Sequence, residues 1–110
     1  MNFKVENRSS YILISIYDIK IDSSISEDYK KSIISYLKDK PVIIDMGNLE
    51  FIDSSGLSTF IYLYKNSKEK SIPFRLININ DRVMAIFNMT GLAKLFEIYN
   101  DLNESIQDLE

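Results

Sequence analysis

A continuous apolar run near the middle of the chain, Val42-Ile43-Ile44, narrows the choice of folds more than any other stretch. Three consecutive branched apolar residues are typical of a strand that is buried on both faces. Helical periodicity flanks this run, over about residues 26–38 and 54–68, and the two amphipathic helices would cover the strand. This order predicts an α/β fold with a mainly parallel sheet and right-handed crossovers.

The remaining patterns continue the alternation of strands and helices. Two strands near the start of the chain, residues 2–6 and 11–17, are separated by a polar turn and predict a hairpin. In the second strand, Ile12, Ile14 and Ile16 share one face, and the residues between them share the other. Further strands are predicted over 74–79 and 95–99, and a final helix over 102–109. The expected architecture is a mostly parallel sheet of about five strands with about four helices, forming one domain over residues 1–110.

Polar residues and glycines mark the ends of the predicted elements. Residues 46–52 are predicted as a loop that contains Gly47. Asn80 and Asp81 are candidate caps for the third helix, because a short polar side chain can accept hydrogen bonds from the first free N–H groups. Gly91 is the candidate C-terminal cap of the same helix, because glycine adopts the left-handed conformation without strain.

The chain contains no histidine and no cysteine among its 110 residues. Histidine is the usual general base and the commonest metal ligand, and cysteine supplies thiolate nucleophiles and metal ligands. We therefore expect no enzymatic activity, no catalytic residue, no metal site and no cofactor. Asp18 and Asp22 flank a turn and would form a weak metal pair only if the fold brought further ligands near them.

Charge and hydropathy exclude two classes of partner. The net charge is −3 and the three arginines are scattered, so there is no basic patch for a nucleic acid. No apolar run approaches the length of about 18 residues that spans a membrane, and residues 1–6 lack the apolar core of a signal peptide. We expect a cytoplasmic protein without membrane contact.

The most informative stretch leads from the buried strand through a loop into Asp53-Ser54-Ser55-Gly56 and the next helix. Parallel sheets place their sites at the carboxyl ends of strands. The first turn of a helix has unpaired N–H groups and a partial positive charge, so it tolerates a phosphate. A phosphoryl group on a serine there would add a charge of about −1.5 to −2 beside Asp53 and Asp22 and would repel a docked partner.

A purely structural interpretation of the same four residues stays open. Asp-Ser-Ser is a common helix N-cap that stabilises by about 1 kcal/mol. Gly56 has a structural interpretation as well, because a glycine permits close packing of a helix against a sheet. From the residues alone, capping is the simpler explanation.

The segment resembles the signature of STAS-domain anti-sigma factor antagonists. In that family a strand ending in Asp or Asn precedes an aromatic and an apolar residue, then Asp-Ser-Ser/Thr-Gly-Leu, then a helix with an aromatic residue and a lysine near its end. The matching residues are Ile43-Ile44-Asp45, Phe51-Ile52, Asp53-Ser54-Ser55-Gly56-Leu57 and Tyr62-Leu63-Tyr64-Lys65, and a second family feature matches Phe87-Asn88-Met89-Thr90-Gly91-Leu92. One departure is Ile19-Lys20-Ile21-Asp22, where many members have Gly-Glu-Leu-Asp.

This resemblance implies a specific function. Family members bind a kinase-type anti-sigma factor and so release its sigma factor, in sporulation or in the stress response. The anti-sigma factor uses ATP to phosphorylate the serine after the motif aspartate, here Ser54, with Ser55 as the second candidate. The phosphorylated form dissociates, and a metal-dependent serine phosphatase restores it. The partner-binding residues implied are Asp22, Asp53, Ser54, Ser55, Gly56 and Leu57, and we expect a monomer.

We compare two alternative functions for the same chain. A STAS-type scaffold or accessory subunit, in a stress-signalling assembly or a lipid transporter, would use the fold without a phosphorylation cycle. An enzyme with Ser54 as its nucleophile would need a base, and no histidine is present and no lysine spacing suggests one.

Overall fold

A computed structural model describes residues 1–109 and contains two sheets and four α-helices. The elements in chain order are β1 (Phe3–Asn7), β2 (Ile12–Ile16), β3 (Lys20–Ile21), α1 (Ser26–Ile34), β4 (Val42–Asp45), β5 (Phe51–Ile52), α2 (Ser54–Glu69), β6 (Phe74–Ile77), α3 (Asp81–Thr90), a short 3-10 helix (Leu92–Lys94), β7 (Glu97–Tyr99) and α4 (Leu102–Ser105). None of the helices described is long and apolar enough to cross a bilayer.

The main sheet has five strands in the order β1-β2-β4-β6-β7. β1 and β2 form an antiparallel hairpin, and the other neighbouring pairs are parallel. Ile14 of β2 lies opposite Ile44 of β4, which in turn lies opposite Leu76 of β6. The predicted hairpin and mostly parallel sheet are confirmed. The carboxyl ends of β2, β4 and β6 therefore meet at one edge of the sheet.

The two faces of the main sheet are covered unequally. The helices α1, α2 and α3 pack on the face that carries Ile12, Ile14 and Ile16, and this side holds the larger core. The opposite face is a small cluster of Tyr11, Leu13, Ile43 and Ile77, against which the apolar side chains of residues 99–109 pack. The predicted alternation of faces along β2 is confirmed, because the pleat of a strand sends successive side chains to opposite sides.

A second, two-stranded sheet forms where the sequence indicated a loop. β3 and β5 pair in parallel, with Lys20 opposite Phe51 and Ile21 opposite Ile52. Ile21 and Ile52 are buried and join the larger core. β5 occupies the last two of the seven residues 46–52 that were predicted as loop, so that prediction was wrong there. Strands of two residues are too short to show the alternation from which strands are predicted.

α1 ends in a tightened turn, whereas α3 is bounded by a cap at each end. α1 ends at Ile34, four residues before the predicted end, because the Tyr36 and Leu37 N–H groups bond to carbonyls three residues back and tighten the chain. This turn brings Leu37 into the core. In α3 the Asn80 side chain accepts from the Val83 N–H at 3.0 Å, and Gly91 ends the helix at φ +79°. The predicted caps Asn80 and Gly91 are confirmed, whereas the other candidate, Asp81, is the first residue of the helix.

The C-terminal helix is shorter than predicted for a tertiary reason. α4 ends at Ser105, where the sequence pattern predicted a helix to residue 109. The Arg75 guanidinium donates to the Ser105 carbonyl at 2.6 Å, and the Leu109 N–H bonds to the Ile106 carbonyl instead of continuing the helix. The apolar side chains of Leu102, Ile106 and Leu109 still pack on the sheet, as an amphipathic pattern requires.

Candidate functional site

Asp53 caps the start of α2 through one carboxylate oxygen. Its backbone is extended, as at most N-caps, and its Oδ1 accepts from the N–H groups of Ser55 at 3.0 Å and Gly56 at 3.1 Å. The same oxygen accepts from the Ser55 hydroxyl at 2.6 Å. The capping function that the sequence left open is therefore present, and it fixes the turn in which both serines lie.

These hydrogen bonds also determine the charge state of the cap. The Ser55 hydroxyl above all, and then the Gly56 N–H, hold the pKa of Asp53 below its usual value, because each bond favours the charged carboxylate. The N–H of Ser23, from the neighbouring turn, contributes in the same direction. Asp53 is consequently an anion at neutral pH, immediately beside the two serine hydroxyls.

The two serines of the motif differ in how their hydroxyls are used. Ser55 is half-buried and donates to Asp53, whereas Ser54 is exposed. Within residues 1–109 the Ser54 hydroxyl has no hydrogen-bond partner. Ser54 is the first residue of α2, where the N–H groups of the first turn carry a partial positive charge. Its hydroxyl is therefore free to meet another molecule.

Gly56 holds the first turn of α2 close to the small sheet. A Cβ atom at this position would lie 2.5 Å from Cγ1 of Ile52 and 3.0 Å from the carbonyl oxygen of Ile21. A larger residue would have to displace the buried Ile52 side chain and press on the Ile21 carbonyl, so close approach favours glycine here. The half-buried Leu57 follows, packs against the larger core, and donates its N–H to the Asp53 carbonyl at 2.9 Å.

The pairing of β3 with β5 brings Asp22 to the same place as Asp53. Asp22 directly follows β3, as Asp53 directly follows β5, and the two strands are in register. The Lys20 ammonium lies 3.5 Å from Asp22 and offsets part of the negative charge. All six residues predicted for partner binding therefore lie together at the turns that follow the small sheet.

Three exposed apolar side chains lie next to these turns, and the sequence analysis did not predict their exposure. They are Tyr17, Ile19, which is 62% exposed, and Phe51, which is 49% exposed. The Phe51 N–H donates to the Ile19 carbonyl, so these two residues are neighbours. Tyr17 and Ile19 also line an open depression of about 510 Å³ that reaches Asp22. The pairing of β3 with β5 creates this surface, and no pattern in the sequence predicted that pairing.

The acidic residues of this region do not form a metal site in the part of the chain described. Asp18 instead accepts hydrogen bonds from the Tyr29 hydroxyl and from the Asn2 N–H. Among residues 1–109, no three acidic, histidine or cysteine side chains come close enough to share an ion. The pair of Asp18 and Asp22 thus has no third ligand there.

Comparison with known proteins defines the family. The model of the STAS domain matches residues 4–105, so the chain belongs to the STAS domain family. An anti-sigma-B factor antagonist of Listeria monocytogenes is 26% identical over 83 residues, which cover 74% of this chain and 73% of that protein. The curated relatives of this chain thus include antagonists of anti-sigma factors.

Two solved structures have the same fold. A putative anti-sigma factor antagonist from Thermotoga maritima superposes with a TM-score of 0.84 at 18% identity, covering 97% of this chain and 93% of that one. The Bacillus cell fate determinant SpoIIAA in its phosphorylated form superposes with a TM-score of 0.72 at 18% identity, covering 99% of this chain and 100% of that one. At this level of identity the likeness extends to the fold alone.

Proposed function

We propose that this protein is an anti-sigma factor antagonist that binds a kinase-type anti-sigma factor and is switched off by phosphorylation of Ser54. The observation that carries the proposal is the free, exposed Ser54 hydroxyl at the start of α2. Ser55 is the weaker candidate, because its hydroxyl already donates to Asp53. The membership of the chain in the STAS family and the names of its relatives support the general role.

The surface around Ser54 suits a protein partner. The side chains of Ile19 and Phe51 expose apolar surface, and its burial against a partner would favour binding. Both lie beside the acidic residues Asp22 and Asp53. An apolar centre with a charged rim is the usual composition of a transient protein interface. The kinase-type anti-sigma factor would dock here with basic groups opposite the two aspartates. While it is bound to this chain, the anti-sigma factor could not hold its sigma factor.

Phosphorylation would oppose this docking without unfolding the protein. The phosphoryl group would carry a charge of about −1.5 to −2 at neutral pH beside the Asp53 carboxylate. The positive end of the α2 dipole favours an anion at Ser54, so the helix itself tolerates the change. A partner that docks with complementary charge meets repulsion instead, and each like-charge contact costs several kcal/mol. A serine phosphatase would reverse the switch.

Phosphate transfer from labelled ATP tests the assignment of the site. We expect the kinase-type anti-sigma factor of the source organism to phosphorylate the wild-type chain chiefly at Ser54. Ser55→Ala is the matched control, because it removes the neighbouring hydroxyl and its bond to Asp53 but keeps Ser54. The control should remain labelled at Ser54, whereas Ser54→Ala should lose the label there.

A wild-type chain that binds the kinase but takes no phosphate at Ser54 would contradict the proposal. It would favour the alternative of a scaffold or accessory subunit without a phosphorylation cycle. An enzymatic role for Ser54 has no structural support in residues 1–109, because no basic side chain hydrogen-bonds to its hydroxyl there.

A further inference from the structure

The motif that contains Ser54 occurs twice in the chain. Ile52-Asp53-Ser54-Ser55 is preceded, 31 positions earlier, by Ile21-Asp22-Ser23-Ser24, with four identical residues in the same order. Each copy directly follows or overlaps the end of a two-residue strand, β3 for the first and β5 for the second. The repeat therefore combines sequence identity with the same position relative to a strand.

The structure brings the two copies side by side. β3 and β5 pair in parallel with Ile21 opposite Ile52, so both Asp-Ser-Ser turns leave the small sheet at the same edge. The Asp53 N–H donates to the Ile21 carbonyl at 3.3 Å, which extends the pairing to the first residue of the turns. Neighbouring parallel strands lie about 4.8 Å apart, so one docked protein can reach both turns.

The two turns share two side-chain hydrogen bonds, and Asp53 accepts a third from the Gly56 N–H. Oδ1 of Asp22 accepts from the Ser24 N–H at 3.0 Å and from the Ser24 hydroxyl at 2.5 Å. Oδ1 of Asp53 accepts from the Ser55 N–H at 3.0 Å and from the Ser55 hydroxyl at 2.6 Å. In both copies the aspartate therefore holds the second serine.

One main-chain hydrogen bond is common to the two turns as well, although α2 begins at Ser54 itself and α1 begins at Ser26, three residues after Ser23. The Asp22 carbonyl accepts from the Ser26 N–H at 2.9 Å, and the Asp53 carbonyl accepts from the Leu57 N–H at 2.9 Å. Both bonds span four residues, as in a helix. In both copies the first serine, Ser23 or Ser54, is exposed, and neither hydroxyl has a hydrogen-bond partner in the part of the chain described.

We propose that Ser23 is a second phosphoacceptor for the kinase that acts on Ser54, because the structure presents its hydroxyl in a similar Asp-Ser-Ser turn at the same edge of the small sheet. This inference rests on the proposed function. In the transfer, the Ser23 Oγ forms a bond to the γ-phosphorus of ATP, and the bond from that phosphorus to the β–γ bridging oxygen breaks. ADP leaves, and the hydroxyl proton passes to a base of the kinase.

Modification of Ser23 would act in the same direction as modification of Ser54. A phosphoryl group on Ser23 would add a charge of about −1.5 to −2 beside Asp22, at the edge where the partner docks. Either modification therefore weakens docking by like-charge repulsion. The chain would then respond to the kinase through two neighbouring acceptors, and the loss of Ser54 alone would leave part of the response.

Peptide mapping after phosphate transfer separates the two acceptors. Trypsin cuts after lysine and arginine but not before proline, so Ser23 falls in the peptide of residues 21–30 and Ser54 in that of residues 39–65. The wild-type chain, Ser23→Ala, Ser54→Ala and the double variant are incubated with the kinase-type anti-sigma factor and labelled ATP. Ser9→Ala is the matched control, because Ser9 is also exposed but lies in the hairpin turn, away from both copies.

The expected result is phosphate on Ser23 in both the wild-type chain and Ser54→Ala, with loss of label only in the double variant. Ser9→Ala should be labelled like the wild type. Phosphate on Ser54 with none on Ser23, and complete loss of label in Ser54→Ala, would overturn the inference and leave the proposed function standing. A wild-type chain that takes no phosphate at either serine would overturn both. The mapping of the wild-type chain needs no variant to fold.

Discussion

The two serines of Asp53-Ser54-Ser55 differ because one carboxylate oxygen holds only one of them. Asp53 accepts from the hydroxyl and the N–H of Ser55, and Ser54 is left exposed. The sequence predicted the cap and the pair of candidate serines, but two adjacent serines have the same side-chain chemistry. Only the direction of the hydroxyls in the folded turn separates them, and this direction depends on the local hydrogen bonds.

Gly56→Ala should destabilise the protein by about 1–3 kcal/mol, the usual cost of forcing extra volume into a packed region. The added Cβ would meet Cγ1 of Ile52 at 2.5 Å and the Ile21 carbonyl oxygen at 3.0 Å, so the buried Ile52 side chain must shift. Urea denaturation measures the effect. Ser58→Ala, at an exposed position of the same helix, is the control and should change stability by less than about 0.5 kcal/mol. Equal stability of the two variants would show that the strands do not pack against α2 as described.

At the scale of elements, tertiary contacts determine the short strands and the helix ends that local sequence patterns do not predict. The buried strand β4 and the long helix α2 were predictable, because their apolar residues recur with a clear period. β3 and β5 were not, since two residues have no period, and the apolar surface beside Ser54 was missed with them. The early end of α4 depends on Arg75, which lies 30 positions away in the sequence.

Arg75 links β6 to the C-terminal segment, and we expect the loss of its side chain to lower the stability of the protein. Its side chain is 6% exposed and makes two hydrogen bonds to Asp108 besides those to Ser105 and Glu97. Hydrogen bonds that involve a charged group contribute about 1.5–3 kcal/mol, so Arg75→Ala should destabilise the protein by about that amount. Hydrogen exchange should accelerate first in residues 102–109. Arg82→Ala is the control, because its pair with Glu50 is exposed and 3.9 Å long.

Normal exchange protection of residues 102–109 in Arg75→Ala would contradict this account, because it would mean that apolar packing alone holds the C-terminal segment on the sheet.

The contact of Asp108 with Arg75 also predicts a dependence of stability on pH. The hydrogen bonds from Arg75 hold the pKa of Asp108 below its usual value. The unfolded state therefore binds the proton more readily, and the contribution of Asp108 is present above about pH 4 and is lost as pH falls through the lowered pKa. The stability difference between the wild type and Asp108→Asn should shrink as pH falls below about 4, as urea denaturation at several pH values would show. A stability difference that stays constant down to pH 2 would contradict the ion pair between Asp108 and Arg75.

On the scale of the whole molecule, the candidate site is separate from the core that holds the fold together. The larger core lies between the main sheet and the helices α1, α2 and α3. Ser54 lies outside it, on the surface at the carboxyl edge of the sheet. A change of charge at Ser54 would therefore alter the proposed docking surface and leave the core packing as it is. This arrangement allows binding to be switched without a change of fold.

The affinity of the kinase-type anti-sigma factor for the unmodified chain and for the chain phosphorylated at Ser54 tests this account most directly. Isothermal titration of the two forms should show binding weakened by about a hundredfold or more, the equivalent of about 2.7 kcal/mol. Thermal unfolding of the two free forms should coincide within a few degrees, since a surface change shifts stability by only about 0.5 kcal/mol. Equal affinity of the two forms for the kinase would contradict the central claim that the exposed Ser54 hydroxyl controls docking.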